Sequence, residues 1–189
     1  MILASQSPRR RRLFATLGFP FRCMHPMVDE LSSGMLPRDL VQENALRKWR
    51  WCCEREPDAL ILTADTAVEI DGEILGKPRS RAEAEMMLHR ESGRLQAVHT
   101  GYVLARAEEG DPPVASCGVV TSWVTFKRLS AEDIRVYLDR VQPYDRAGAY
   151  DIDESGDLLV ESYTGSRTNV MGLPLERIQE LLFCKKLLP

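Results

Sequence analysis

The start of the chain constrains the fold most, because a strand pattern gives way there to a helix pattern within a few residues. The apolar run 2–4 is followed by Ser7, a helix N-cap residue, and by Pro8 at the first helical position. Arginine occupies positions 9–12, and Gly18 provides a helix stop. A strand, a turn and a helix in this order predict an α/β protein.

The arginines at the start of this helix need a physical explanation. A helix N-terminus carries partial positive charge, so cations are unfavourable there unless an anion binds between them. We expect the Ser5 hydroxyl and the free amides of the turn to face the same pocket as Arg9 and Arg10. The pattern therefore predicts a site for a phosphate chain. A solvated arginine-rich helix face is the alternative, and a targeting peptide fits poorly.

Composition limits the classes of protein that fit this chain. Its 189 residues suit a single domain, 1–189, with a sizeable core. The net charge of -3 disfavours a general nucleic-acid binder despite the basic N-terminus. No apolar run is long enough to span a membrane. Five cysteines without paired spacing and three scattered histidines argue against zinc or a disulfide framework, and they favour the cytoplasm.

The rest of the sequence alternates between strand and helix patterns. Asp71-Gly72 is a strong hairpin signal. Strands are predicted at 21–24, 59–64, 68–70, 73–75, 95–105, 114–126 and 158–162, helices at 38–54, 80–90, 130–141 and beyond Pro174, and a loop at 164–173. Hairpins and crossovers together favour an α/β fold with a mixed sheet and flanking helices. We expect the long central strands to form a second lobe across a deep cleft.

Charged residues stand out at four separate places. Asp65 ends an apolar strand pattern, where ligands bind in open α/β sheets. Lys48 falls within the apolar stripe of a helix, Glu30 lies in the loop before it, and Lys77 lies in a tight loop. Cations and carboxylates drawn from distant segments suit phosphoryl chemistry, in which positioning and charge neutralisation lower the barrier. We predict a nucleotide bound with Mg²⁺.

Each of these residues also has a purely structural interpretation. Asp65 with Thr66 could turn the chain, and Lys48 could lay its stem along the core. Glu30 and Lys77 could be ordinary exposed loop residues. A catalytic Asp65 either binds a metal ion or accepts a proton from the attacking water, and the residues alone leave both roles open. The P-loop and the dinucleotide-binding glycine motif are absent from the sequence.

Several short motifs occur in one order along nearly the whole chain. They lie at residues 3–10, 28–30, 45–48, 64–66, 76–78, 92–94, 100–101, 147–150 and 172–174. The first reads Leu-Ala-Ser-Gln-Ser-Pro-Arg-Arg, and the later ones include Ala-Asp-Thr, Gly-Lys-Pro and Ala-Gly-Ala-Tyr. Together they resemble the Maf family of nucleoside triphosphate pyrophosphatases, also described as septum-formation proteins.

The resemblance implies a mixed α/β fold like that of inosine triphosphate pyrophosphatases, with a deep cleft. It implies hydrolysis of a nucleoside triphosphate between its α and β phosphates to a monophosphate and pyrophosphate, with a divalent metal cation, Mg²⁺ or Mn²⁺. The implied substrates are pyrimidine or modified nucleotides. The resemblance also implies a homodimer and a role in the arrest of cell division. Neither a membrane nor a stable nucleic-acid partner is expected.

By motif, the resemblance implies that Asp65 is the catalytic carboxylate and that Asp65 and Glu30 bind the metal. The implied substrate-binding residues are Ser5, Arg9, Arg10, Glu30, Lys48 and Lys77. The positions implied to select the base are Arg9, Thr66 and Asp153. The pair Asp65-Thr66 resembles the branch of the family that acts on dTTP and UTP. The branch that acts on 7-methyl-GTP usually has Gln after the Asp.

Three places depart from the family pattern. Asp151-Ile152-Asp153 stands where the family has Gly-Ile-Gln. Gln96 stands in place of a His, and Arg146 in place of a Lys. A carboxylate at position 153 accepts hydrogen bonds but donates none at neutral pH, so altered base recognition is predicted.

Two other functions stay open on the sequence. A non-catalytic regulatory module would sense nucleotides, or would contact nucleic acid through the arginines at 9–12 with an affinity that falls as salt rises. A phosphatase would remove the terminal phosphate and leave a nucleoside diphosphate. Identification of the products separates both from a pyrophosphatase.

Overall fold

The structure, a computed structural model, describes residues 1–113 and 116–186 and contains a seven-stranded sheet flanked by helices. The strands are β1 (Ile2–Ala4), β2 (Arg22–Met24), β3 (Ile61–Ile70), β4 (Glu73–Leu75), β5 (Leu95–Ala105), β6 (Cys117–Phe126) and β7 (Val160–Thr164). The helices are α1 (Pro8–Ala15), α2 (Pro37–Cys53), α3 (Arg81–Glu91), α4 (Ala131–Arg140), α5 (Arg167–Val170) and α6 (Leu175–Cys184).

The sheet is mixed, as the sequence predicted. Its strand order is β2-β1-β3-β5-β6-β7, and β4 pairs with β3 beside this path. β1 runs parallel to β2 and β3, whereas the pairs from β3 through β5 and β6 to β7 are antiparallel. The predicted α/β fold with a mixed sheet and flanking helices is therefore confirmed. The long strands β5 and β6 extend the sheet that β1 begins and do not form a separate one.

The hydrophobic core is divided between the two ends of β3. At the β1 end, α1 and α6 pack on one face of the sheet and α2 packs on the other. At the β4 end, α3 and α4 pack against β3, β5 and β6. Each large apolar side chain that is fully buried contributes about 1.5–3 kcal/mol. The middle of β3 lies between these two core regions.

An open edge in the middle of β3 positions the site. β1 ends at Ala4, which pairs with Thr63, and the pairing with β4 begins only at Val68. Among the described strands, residues 64–67 of β3 therefore have β5 on one side and no strand on the other. The turn 5–7 and the start of α1 follow β1 at this edge. A ligand can thus reach side chains on both faces of β3.

The prediction that a strand ends at residue 64 was wrong. β3 continues through Asp65 to Ile70 because its backbone pairs with β5 without interruption, with Asp65 opposite Gly101 and Thr66 opposite Thr100. Backbone hydrogen bonds over a long ladder outweigh the local turn preference of an Asp-Thr pair. Asp65 therefore lies inside its own strand, β3. The strand that ends beside it is β1, whose last residue pairs with Thr63.

Other predicted segments differ from the structure as well. The strand predicted at 158–162 is β7 at Val160–Thr164, and the strand predicted from residue 59 begins at Ile61. The strand predicted at 114–126 begins at Cys117, while Val114 and Ala115 lie outside the described residues. The segment 164–173, predicted as a loop, contains α5, in which the Ser166 hydroxyl accepts a hydrogen bond from the amide of Asn169. A single capped turn is too short to produce a helical periodicity in the sequence.

Gly101 lets α2 lie directly against β5. A Cβ atom added at Gly101 would lie 2.3 Å from the carbonyl oxygen of Val41, closer than atoms can approach. The backbone of the helix therefore contacts the backbone of the strand. In residues 1–113 and 116–186, no helix combines the length and the apolar character needed to cross a membrane.

Candidate active site

A buried carboxylate lies at the centre of the site. Asp65, on β3, receives a hydrogen bond from Lys48 Nζ at 2.7 Å on one carboxylate oxygen and from Asn44 Nδ2 at 2.9 Å on the other. Lys48 and Asn44 lie one turn apart on α2, so they share the face that packs on the sheet. Asp65 is 9% exposed and Lys48 is 7% exposed. The helix thus holds a charged pair in place at the edge of the cavity.

Glu30 brings a second carboxylate to the same ammonium group. Its Oε1 lies 2.6 Å from Lys48 Nζ, and the side chain is half-exposed. The loop that carries Glu30 is fixed by Asn44, which accepts a hydrogen bond from the amide of Leu31 and donates one to its carbonyl oxygen. Lys48 therefore lies between two carboxylates, one in the core and one facing solvent.

Arg10 reaches the opposite face of β3. Its guanidinium donates hydrogen bonds to Thr66 Oγ1 at 2.8 Å and to the carbonyl oxygen of Gly172 at 2.7 Å. Thr66 Oγ1 also lies 3.0 Å from Thr100 Oγ1. Burial lowers the pKa of Arg10 from its ordinary value, and the charges of Asp65 and Glu30 oppose this effect. Because side chains alternate along a strand, Asp65 and Thr66 present different chemistry on the two faces.

Arg9 and the turn before α1 complete the wall on this side. Ser5 Oγ accepts a hydrogen bond from the amide of Ser7, and Ser7 Oγ caps α1 by accepting one from the amide of Arg10. Arg9 Nη1 lies 3.3 Å from Asp151 Oδ2. The turn therefore presents hydroxyl groups and guanidinium groups at one helix start, as an anion site requires.

These side chains line one cavity of about 650 Å³. The cavity is lined by Ser5, Arg9, Arg10, Glu30, Lys48, Asp65, Thr66 and the exposed Lys77, together with Asn44, Arg146, Tyr150 and Asp151. This volume is in the range of cofactor and nucleotide sites. Four cations and two acids predicted from distant parts of the sequence thus meet in one place.

Comparison with known proteins assigns the family. The family described as Maf-like protein matches residues 1–184 of this chain. The chain belongs to the Maf family. It is 46% identical over 183 residues to the dTTP/UTP pyrophosphatase of Symbiobacterium thermophilum, covering 96% of this chain and 92% of that protein. It is 42% identical over 183 residues to the dTTP/UTP pyrophosphatase of Moorella thermoacetica, covering 96% and 93%.

A solved structure supports the fold. The Staphylococcus aureus Ham1 protein superposes with a TM-score of 0.56 at 15% sequence identity, covering 97% of this chain and 98% of that chain. At this identity the likeness concerns the fold alone. The Maf chain and the Ham1 protein therefore share a layout of sheet and helices.

Asp153 differs in position from the other predicted site residues. Its carboxylate pairs with Arg167 at 2.6 Å, and it lines a neighbouring groove with Arg12 instead of the main cavity. The residue that faces the main cavity is Asp151, two positions earlier. Gln96, another of the three departures noted in the sequence, is buried in β5. Base selection by Asp153 stays a prediction. Any effect of Asp153 on the base would be indirect, because its side chain does not line the main cavity.

Sequence reasoning missed two residues of the site. Asn44 holds Asp65, and its signal was its place one helical turn before Lys48 on the same face. Asp151 pairs with Arg9, and the sequence feature that pointed to it was the Asp at a position where the family pattern has Gly. Both signals were present in the sequence, but neither shows which partner the side chain meets.

The predicted metal ion requires oxygen ligands from the acidic side chains of the cavity. Within residues 1–113 and 116–186, no three His, Cys, Asp or Glu side chains cluster closely enough to hold an ion by themselves. Asp65 and Glu30 do share one neighbour, Lys48, so their oxygens lie at the same end of the cavity. Two carboxylates completed by phosphate and water oxygens are a usual environment for Mg²⁺. The residues fit such an ion.

Proposed function

We propose that this protein is a nucleoside triphosphate pyrophosphatase that converts a pyrimidine nucleotide, dTTP or UTP, to the monophosphate and pyrophosphate. The observation that carries the proposal is the Asp65 carboxylate, held by Lys48 and Asn44 at the wall of a cavity that Arg9 and Arg10 also line. The names of relatives that are 46% and 42% identical along the chain support the same substrate class.

The arrangement supplies what the reaction needs. Water attacks the α phosphorus, the bond from that phosphorus to the oxygen bridging the β phosphate breaks, and pyrophosphate leaves with the electron pair. We assign the proton of the water to Asp65, because Lys48 and Asn44 hold this carboxylate in one orientation at the cavity wall. Arg9, Arg10 and Lys77 offset the charge of the phosphate chain, which lowers the barrier by electrostatic stabilisation.

A divalent metal cation, Mg²⁺ or Mn²⁺, held by Asp65 and Glu30, would add charge neutralisation at the phosphates. Lys48 bridges the two carboxylates at 2.7 and 2.6 Å and keeps their like charges compatible. Thr66 Oγ1 accepts a hydrogen bond from Arg10, contacts Thr100 Oγ1 and donates to the carbonyl oxygen of Gly172 at 3.3 Å, so it would exchange one of these partners to bind a base.

A substrate panel with product identification tests the proposal. The purified protein is incubated with dTTP, UTP, CTP, dATP and GTP in Mg²⁺ or Mn²⁺, and the products are separated by anion exchange. We expect monophosphate and pyrophosphate in equal amounts, fastest from dTTP or UTP, and no activity with EDTA. Diphosphate with orthophosphate would identify a terminal phosphatase, and nucleotide binding without products would identify a sensor.

The proposal includes the cytoplasm as the place of action, which the five unpaired cysteines fit. It includes no stable nucleic-acid partner. Binding of DNA or RNA at two salt concentrations, measured by fluorescence anisotropy, tests this point. The homodimer stays a prediction that light scattering would check.

A further inference from the structure

Asp151 joins two arginines that come from opposite ends of the chain. Its Oδ2 lies 3.3 Å from Arg9 Nη1 and 2.9 Å from Arg146 Nε, and its side chain is 5% exposed. The backbone at this point is also fixed, because the amide of Asp151 donates a hydrogen bond to the Tyr137 hydroxyl at 2.9 Å. A second bond runs from the amide of Asp153 to Asp151 Oδ1 at 2.8 Å. Both oxygen atoms of the carboxylate therefore have partners.

The two arginines depend on Asp151 to different degrees. Arg146 also pairs with Glu154 at 2.8 Å, so a second acid holds it. Arg9 has its ion pair in the described residues with Asp151. The Nε atoms of both arginines are buried with no hydrogen-bond partner in the described part of the chain, so the second acid on Arg146 is what distinguishes the two. An arginine side chain has many rotamers, and its guanidinium binds a phosphate well only when its planar fork is oriented. Loss of Asp151 would therefore release Arg9 first.

We infer that Asp151 is a positioning residue for substrate binding, which fixes the Arg9 guanidinium at the cavity wall so that the phosphate chain meets an oriented cation. The inference rests on the proposed function. It also gives a use to the sequence departure at this position, where the Maf pattern has glycine and this chain has a buried acid.

The charge of Asp151 does not cancel this advantage. The two arginines outweigh Asp151 by one charge, and Glu154, at the outer side of Arg146, brings this cluster to neutrality. A bound anion also meets Arg10 and Lys77, which line the same cavity. Orientation of Arg9 before binding reduces the entropy lost when the complex forms.

A double-mutant cycle tests the inference. Asp151→Asn keeps the shape of the side chain and removes its charge, and we expect it to raise KM for the best nucleotide about tenfold with kcat within about twofold. Arg9→Gln raises KM by itself, and adding Asp151→Asn to it should raise KM no further, because the positioned group is already gone. Glu154→Gln is the matched control, since it removes an acid whose ion pair within the described residues is with Arg146, and it should leave KM unchanged.

The same cycle can overturn the inference. Independent, multiplied effects of Arg9→Gln and Asp151→Asn would show that Asp151 does not act through Arg9, and so would an unchanged or lower KM in Asp151→Asn. Asp151→Gly, which restores the Maf residue, replaces Asp151→Asn if the latter melts below the assay temperature. Calorimetric binding of inorganic pyrophosphate to the same proteins is measured in parallel. It tests the coupling even if the wild-type protein hydrolyses nothing, so failure of the proposed function is seen separately.

Discussion

Two buried acids of this protein lie in opposite environments. Asp65 has an ammonium partner and an amide partner at 2.7 and 2.9 Å. Glu91, the last residue of α3, is fully buried, and neither of its carboxylate oxygens has a hydrogen-bond partner in the described residues. It also lies at the end of a helix where the dipole disfavours negative charge. Burial raises the pKa of Glu91 well above its ordinary value, opposed only by Arg90.

The comparison shows which of the two buried acids is ionised and can therefore act as a base. A buried charge is tolerated when it is paired and hydrogen-bonded, and a buried acid without a partner takes the neutral form. Glu91 instead fills space beneath Gly148, where an added Cβ would lie 2.7 Å from Glu91 Oε1. Asp65 is thus suited to catalysis, whereas Glu91 is suited to packing.

The largest expected effect comes from Asp65→Asn. We expect turnover to fall about a thousandfold or more because the carboxylate that accepts the proton is lost, while nucleotide binding is largely kept. Pyrophosphate release and calorimetric binding measure the two quantities. Glu91→Gln is the matched control and should keep near-normal turnover. Equal losses in both variants would contradict the comparison.

Lys48→Met would make the environment of Asp65 resemble that of Glu91. Removing one partner of a buried ion pair leaves an uncompensated charge, so we expect the free energy of unfolding to fall by about 3 kcal/mol. Urea unfolding of the wild type and the variant measures this loss. A loss below about 1 kcal/mol, the size typical of exposed ion pairs, would argue against a buried ion pair at Asp65.

Glu91→Gln should change the pH dependence of stability. In the wild type, the unfolded chain releases the Glu91 proton above the ordinary pKa of 4.5, whereas the folded chain keeps it. The free energy of unfolding therefore falls as pH rises from that value toward the raised pKa of the folded state. The neutral amide has no such dependence, so the free energy of unfolding of the variant should rise relative to that of the wild type between pH 5 and pH 8.

The neighbours of Glu91 do not supply a competing explanation in that range. Tyr150 lies near it, and burial raises the pKa of Tyr150 further from neutrality. Arg90 pairs with the exposed Glu73 and stays charged throughout. Parallel unfolding curves for wild type and Glu91→Gln across pH 5 to 8 would show that Glu91 is ionised in the folded protein.

The smallest expected effect belongs to an acid at the surface. Glu132, in the first turn of α4, pairs with the exposed Arg135 at 2.6 Å. Glu132→Gln should shift Tm by less than about 1 °C, because solvent screens such pairs. Differential scanning calorimetry measures the shift. A Tm shift of several degrees would mean that an ion pair exposed to solvent stabilises the protein as much as a buried one.

The sequence predicted best where a pattern depends on neighbouring residues. Lys48 lies on the buried face of α2 because helical spacing places it there, and β5 has the predicted bounds because an apolar run sets its length. The prediction failed at Asp65, whose strand continues because β5 supplies backbone partners. Pairing between distant strands has no local signal in the sequence.

The path of an irregular segment was the hardest part to predict. Asp151 and Asp153 are two residues apart, yet one faces the cavity and the other pairs with Arg167. The segment turns through Ala149 and Ser155, both of which have positive φ angles, so no helical or strand period applies to it. The burial of Glu91 had no signal either, because its position depends on how α3 meets the turn at Gly148.

The close approach at Gly101 has a consequence for how such a site can evolve. Backbone atoms set the height of α2 above the sheet, so aliphatic residues in the interior can be exchanged without shifting Lys48 and Asn44 relative to Asp65. A single methyl group at Gly101 would act as a wedge and lift both partners away from the acid at once. The geometry of the reaction centre therefore depends on the absence of a side chain at Gly101, the residue of the neighbouring strand that pairs with Asp65.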